Sequence, residues 1–470
     1  MTSTPTGFPD VTAVIEKSHD KAVDGAKGAE RSSDSDSSIR WTVGYCTNIH
    51  AGADVEGVTN NLLNISAEVR RRILNLQYSD ENGSPKVQTG KNFATIVSTA
   101  PPLGIGLWLS AEATADLRRN GLKPLTSAMK QARLLAYTFN GFPHDNFHQD
   151  VVKHAVYSPT WWEDERIIYT RDLAKILAEI LPADTNLGTI STLPIGWPQK
   201  TDEDGNRVSV TDDQLHHAGT NLRRMAEDLR RLEDRTGKRI VLAIEPEPGC
   251  ILDTAAKVID WFDKQLPDAT HRRYIGVCHD VCHSAVMGES QHDVLAAYAK
   301  AGIVVGKIQI SSAIVVDWSR IADTDREATL TQLRSFAEDR YLHQTGRVTA
   351  SGKFVLEEDL PAVLADLDAN PSRYAADKRW MIHFHVPIFA EQFGHLQTTR
   401  SDVLDTLKSI MELTDASKRR QPLQFTGHLE VETYAWSVMP ESAGRSDLAG
   451  DIASELIWLH DVLSEMSSNN

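Results

Sequence analysis

The chain has 470 residues, 41% of them hydrophobic and 24% charged, with a formal net charge of -16. That length buries a large core, and the composition is that of a globular protein. The acidity, with no Lys/Arg-rich block, excludes a protein whose main task is neutralising phosphate backbones, so nucleic acid is not expected as a partner. No basic, then apolar, leader opens the sequence, and no run of about 18 apolar residues suggests a transmembrane segment. Four cysteines, at 46, 250, 278 and 282, form no Cys-x-x-Cys pair and read as reduced thiols of a cytoplasmic chain.

Residues 1–40 read as a disordered N-terminal arm, because the Ser/Asp-rich stretch Glu30–Ser38 offers nothing to bury. A short helix over Val11–Ala22 fits within it. From residue 41 to 470 the chain reads as one domain. Short apolar runs are expected as strands at Trp41–Cys46, Ile105–Leu109, Leu135–Phe139, Thr189–Leu193, Ile240–Ile244, Tyr274–Cys278, Val304–Ile310, Met381–Val386 and His428–Val431. Helical periodicity lies between them at Leu63–Leu76, Arg171–Leu181, Asp213–Thr236, Ala255–Gln265, Val294–Ala301, Arg326–Glu338, Ser401–Leu413 and Leu448–Met466.

Strand then helix, repeated, gives an α/β fold with a parallel sheet, and about eight units in this length give a (β/α)8 TIM barrel with insertions. Nine candidate strands compete for eight places, and one of them, Met381–Val386 being the candidate, is either an inserted strand or displaces another from the barrel. The first strand runs into Thr47-Asn48-Ile49-His50 rather than a glycine-rich phosphate turn, which speaks against a dinucleotide fold.

Function in such a barrel sits where the strands end. The fifth run ends Ile244-Glu245-Pro246-Glu247-Pro248, placing carboxylates at the mouth on a proline-stiffened turn. The sixth ends His279-Asp280-Val281-Cys282-His283, an Asp-x-x-His pair whose carboxylate and imidazole suit Zn, Mn, Fe or Co. Cys278 and Cys282 read as small buried residues. The last run, His428-Leu429-Glu430-Val431-Glu432, puts Glu430 and Glu432 on one face, where two acids need a cation or hydrogen-bond donors. Met381–Val386 puts His383 and His385 on one strand face. Earlier runs end in Asn48 and Asn140, with Phe139-Asn140-Gly141-Phe142-Pro143 supplying polar and aromatic groups suited to a small polar ligand.

This ordered set resembles the xylose-isomerase-like TIM barrels, and within them the EboE-type metabolite-traffic proteins. The blocks that carry the resemblance include Gly44–Asn48, Phe139–Pro143, Ile190–Pro194, Glu245–Cys250, Gly276–His283, Gly306–Ser312, Arg340–Thr345, His383–Pro387 and Leu429–Tyr434, spanning residue 41 to the C-terminal region. The resemblance implies a barrel, a divalent metal, and a role in making or moving a small secondary-metabolite precursor alongside other proteins of the same pathway. It also implies that Gln309 stands where the seventh strand of relatives commonly offers a metal-ligating histidine, with His383 or His385 supplying the imidazole instead.

The expected metal ligands are therefore Glu245, Asp280, His283, His383, His385 and Glu432. Glu247, His283 and Glu430 are candidates for moving a proton, and Asn48, Asn140 and Gln309 for contacting substrate. Two functions follow: a metal-dependent isomerase, epimerase or related enzyme, and a non-catalytic carrier that keeps the pocket. Cleavage of damaged DNA fits the fold but not the charge.

Overall fold

The computed structural model describes residues 40–78, 100–201, 206–437, 439 and 447–468. The expected arm, with its short helix, lies outside the described residues except for Arg40.

Eight parallel strands close into a barrel. In chain order they are β1 (Thr42–Cys46), β2 (Leu103–Trp108), β3 (Leu134–Asn140), β4 (Leu187–Thr192), β5 (Arg239–Ile244), β6 (Ile275–Asp280), β7 (Val305–Ile310) and β8 (His428–Val431). Each pairs with its sequence neighbours, and β8 returns beside β1 with His428 opposite Thr42 and Leu429 opposite Val43. Buried on both faces, these strands are near-continuous apolar runs, as parallel strands covered by helices must be.

The helices between them have clear chemical boundaries. The longest, Asp212–Thr236, starts at a capping box in which Thr211 and Gln214 satisfy each other's backbone N–H groups. It stops at Gly237, whose φ of +70° suits a residue without Cβ.

The segment between β7 and β8 holds a second, antiparallel sheet of six short strands. The ninth candidate strand belongs here. It spans Arg379–Ile382 and pairs with Ile314–Asp317 and Thr345–Val348, so it is not a barrel strand. It also stops short of the expected Val386. From His383 onward the backbone turns to other partners: His383 N–H donates to the Gln344 carbonyl and Val386 N–H to that of Ser312. His383 and His385 therefore lie on a segment leaving the sheet, not on one face of a strand.

This sheet docks on the barrel through a small apolar core of its own: Cys282, Val286, Ala313, Val315 and Met381. Cys282 and Val286 sit on the short helix Val281–Val286 that follows β6. Gly346 allows the approach, since a Cβ there would lie 2.1 Å from the Val286 carbonyl oxygen. The same helix carries His283, so docking the sheet against it brings His383 and His385 across the barrel mouth. All four cysteines are free and buried, as expected of small core residues. Among the described residues no helix is long and apolar enough to cross a membrane.

Candidate metal centre

The C-terminal ends of β3 and β5–β8, with β1's following turn, converge on one buried cluster. Carboxylate oxygens of Glu245, Asp280 and Glu432 lie within 4.8 Å of one another. Beside them, Asp280, His283 and His385 form a second such group, and Glu247, His283 and His383 a third. All these residues are buried.

Asp280, Glu432 and the three histidines are each held by one atom. Asp280 Oδ1 accepts from His283 N–H at 2.9 Å, capping the short helix, and from the Ser311 hydroxyl at 2.8 Å. Its Oδ2 has no hydrogen-bond partner among the described residues, and neither has Glu245 Oε2. Glu432 Oε1 accepts from the amide nitrogens of Asn48 and Asn140, both at 2.8 Å. These two asparagines, expected to touch substrate, line the cleft and also orient a carboxylate.

The histidines follow one rule. Nδ1 of His283 bonds to the Pro246 carbonyl at 2.8 Å, Nδ1 of His385 to the Glu432 carbonyl at 2.7 Å, and Nδ1 of His383 to the Gln344 side-chain oxygen at 2.7 Å. A carbonyl oxygen only accepts, so each Nδ1 carries the proton. In the neutral ring Nε2 is then left as a lone pair. This is how metal-ligating imidazoles are commonly pinned. His385 Nε2 has no hydrogen-bond partner and stands 3.9 Å from Asp280 Oδ2. His283 Nε2 is 3.2 Å from Glu247 Oε2 and 3.9 Å from Asp280 Oδ2.

Crowding so many acids out of water distorts their titration. Burial pushes Glu245 up to about 8, with Asp280 and Glu247 adding to the rise and His283 opposing it. Burial, then the neighbouring Glu245 and Asp280, push Glu432 well above the carboxylate range. For Asp280, burial is outweighed by His283, His385 and its hydrogen bonds, which hold it below its usual value. For His283, burial is outweighed by Asp280, Glu247 and Glu245, which lift it to about 9. Burial lowers His385 to about 4. A cation is the group that relieves such an arrangement, because it favours the ionised carboxylates and the neutral imidazoles together. Carboxylate plus imidazole is the donor chemistry of Zn, Mn, Fe and Co, so the residues fit such an ion.

Glu430 and Gln309, both predicted site residues, are absent from the cleft's lining. Glu430 forms an ion pair with Lys307 of β7, and neither side chain has any exposure. Only glycine at position 106 leaves it room, since a Cβ there would lie 1.2 Å from a Glu430 oxygen. The two acids of the last strand are thus compensated differently: Glu430 by an ammonium and Glu432 by two amides. Gln309 is fully buried beside Asp280 and Glu430 in register, and both atoms of its carboxamide lack a hydrogen-bond partner among the described residues.

Three participants had no role assigned from sequence. Lys307 stands in a fully buried strand, a readable sign that it needs a buried partner. Tyr157 donates to Glu247 Oε1 at 2.9 Å, and the Gln344 amide reaches Tyr157, Glu247 and the Pro248 carbonyl while its oxygen holds His383. Nothing in the local sequence marks Tyr157. Trp161 is core, with its N–H on Thr192, and Trp197 stacks behind Tyr157 at 5.0 Å.

The cluster floors a cleft that opens to solvent and encloses only about 60 Å³.

No protein-family model matches the chain, and no curated protein matches it by sequence. Solved structures do. A xylose isomerase-like TIM barrel protein from Mycobacterium smegmatis, in complex with magnesium, is 10% identical over 90% of this chain and 97% of its own, with a TM-score of 0.45. The IolI protein with a zinc atom is 11% identical over 90% and 98%, with a TM-score of 0.39. The probable 3-DHS dehydratase AsbF from Bacillus anthracis is 10% identical over 89% and 98%, with a TM-score of 0.36. The barrel itself is seen in the chain's own closed eight-stranded parallel sheet.

Proposed function

We propose that the protein is a divalent-metal-dependent barrel enzyme of the EboE type, acting in the cytoplasm on a small oxygen-bearing metabolite in an isomerisation, epimerisation or related proton-moving step. Its setting is the making or moving of a secondary-metabolite precursor, alongside proteins of the same pathway. The observation that carries this reading is the clustering of Glu245, Asp280 and Glu432 oxygens within 4.8 Å of one another, with His283 and His385, each pinned at Nδ1, grouped on the same Asp280.

Glu245, Asp280 and Glu432 offer an oxygen-rich position; His283 and His385 offer nitrogens to the same Asp280, and His383 groups with Glu247 and His283. When bound, a divalent ion supplies a Lewis acid at a substrate carbonyl or hydroxyl. Glu247, steadied by Tyr157 and within reach of His283, is the group placed to take and return a substrate proton. Asn48 and Asn140 keep Glu432 aimed at the cluster. Glu430, neutralised by Lys307, supports the floor rather than moving a proton.

One observation favours the carrier reading: the carboxamide of Gln309 beside Asp280 is a weaker, neutral donor than an imidazole. Elemental analysis of protein purified without chelators tests the main reading. Wild type should carry metal, and Asp280→Ala should lose it with the far-ultraviolet circular dichroism unchanged. Full occupancy in that variant, or none in wild type after incubation with Zn, Mn, Co or Fe, would sink it.

A further inference from the structure

The cleft above the cluster is built unlike its floor. Phe147, Tyr341 and Tyr434 pack against one another, with ring centroids 4.9 Å apart for Phe147–Tyr341, 5.6 Å for Phe147–Tyr434 and 5.0 Å for Tyr341–Tyr434. Tyr434 also lies over the His385 ring at 4.6 Å. Val152, Val156 and Leu342 complete the apolar wall, with Phe142 on the β3 side.

The polar atoms of this wall are already engaged. Tyr157 gives its hydroxyl to Glu247 at 2.9 Å, and Tyr341 gives its own to the Phe147 carbonyl at 3.3 Å. The Tyr434 hydroxyl lies 3.4 Å from His383 Nε2. The ammonium of Lys153 is held by Asp359 at 2.7 Å. Asn140 spends its nitrogen on Glu432 and its oxygen on Phe142 N–H. The buried atoms without a hydrogen-bond partner among the described residues lie on the floor instead: Glu245 Oε2, Asp280 Oδ2, His385 Nε2 and Asn48 Oδ1.

An open-chain polyol needs partners along its whole length, because each hydroxyl buried without one is penalised. This cleft concentrates its buried, unpartnered atoms at one end. Aromatic walls instead favour a flat ring, which gains from offset and edge-on contacts.

We infer that the substrate is a compact ring compound carrying two adjacent oxygens on one edge. The oxygens meet the metal cluster, and the ring lies against the wall formed by Phe147, Tyr341 and Tyr434. This inference rests on the metal reading proposed above and narrows its substrate to a ring rather than an extended sugar.

The test uses the full chain and three organic probes. Mn2+ is titrated first by calorimetry, and the loaded protein is then titrated with 2-hydroxybenzyl alcohol, benzyl alcohol and xylitol. The ring with two adjacent oxygens should bind at least about tenfold tighter than either of the others, and only when Mn2+ is present. Phe147→Leu, which keeps apolar bulk but removes the ring, should weaken it several-fold while leaving Mn2+ affinity unchanged. Tyr341→Leu is the second variant should the first fail to fold. Xylitol binding as tightly as the ring diol, benzyl alcohol matching it, or both ring variants binding like wild type would overturn the inference with the metal reading intact. Failure of Mn2+ to bind appears in the first titration and overturns the metal reading as well.

Discussion

Replacing Lys307 with Met isolates the pair beneath the cluster. Lys307 is fully buried, and its ammonium reaches Glu430, the Phe139 carbonyl at 3.4 Å and the Ser191 hydroxyl at 3.4 Å. Met keeps most of the stem's volume and removes the charge, stranding the Glu430 carboxylate. Breaking one side of a buried pair costs about 3–5 kcal/mol. The stranded acid can escape by taking up a proton, which at pH 7 costs about 1.4 kcal/mol for each unit above the ordinary glutamate value, or just under ~4 kcal/mol in all. The two routes agree, so Lys307→Met should lose about 3–4 kcal/mol at pH 7. The folded variant then holds a proton that the unfolded chain does not, so its defect should shrink as pH falls toward 5. Adding Glu430→Gln should recover much of the loss, giving a coupling of about 2 kcal/mol or more. Urea midpoints at constant metal concentration, read by circular dichroism at pH 5, 6 and 7, measure all of this. A loss under about 1 kcal/mol in the single variant, or a double variant no better than the singles, would refute the reasoning.

Gln309→His should tighten divalent-metal binding by roughly tenfold or more, as an added imidazole donor beside Asp280 would; unchanged metal affinity in competition with a chromophoric chelator would show that Gln309 does not face the ion. Metal binding should also release protons. At pH 7 metal-free protein holds them on Glu245, raised to about 8, and on His283, raised to about 9, so affinity should climb with pH through that window. Calorimetry in buffers of different ionisation enthalpy reads the number released, and a value of zero contradicts the ligand set. For the same reason the metal-free protein should lose stability as pH rises. Both groups have raised folded-state values, so the folded state binds more protons than the unfolded one, from the ordinary carboxylate range up to about 8 for Glu245 and from the ordinary imidazole range up to about 9 for His283.

The barrel was legible because its strands are fully buried and therefore nearly all apolar, each ending abruptly in polar residues. Glu245, Asp280 and Glu432 could be picked out because they fall at those endings. The inserted sheet was not legible, because its strands are two to four residues long and one, Thr345–Val348, contains Gly346 and Arg347. Misreading Met381–Val386 as a single strand follows from the same limit. Its residues are apolar throughout apart from the two histidines, and the break at His383 comes from hydrogen bonds to Gln344 and Ser312, far away in sequence. The Lys307–Glu430 pair shows the converse. Each residue was visible as a charge within a strand, but only the register that sets β7 beside β8 pairs them. Tyr157 and Gln344 belong to the site through tertiary contact alone.

The most direct measurement of the central claim is anomalous X-ray scattering from a crystal soaked in Mn2+, recorded at the manganese edge. The account predicts a peak bounded by Glu245 Oε2, Asp280 Oδ2 and the Glu432 carboxylate, absent from an Asp280→Ala crystal treated in the same way. Peaks only at the protein surface, with none in the cluster of a well-soaked crystal, would contradict it.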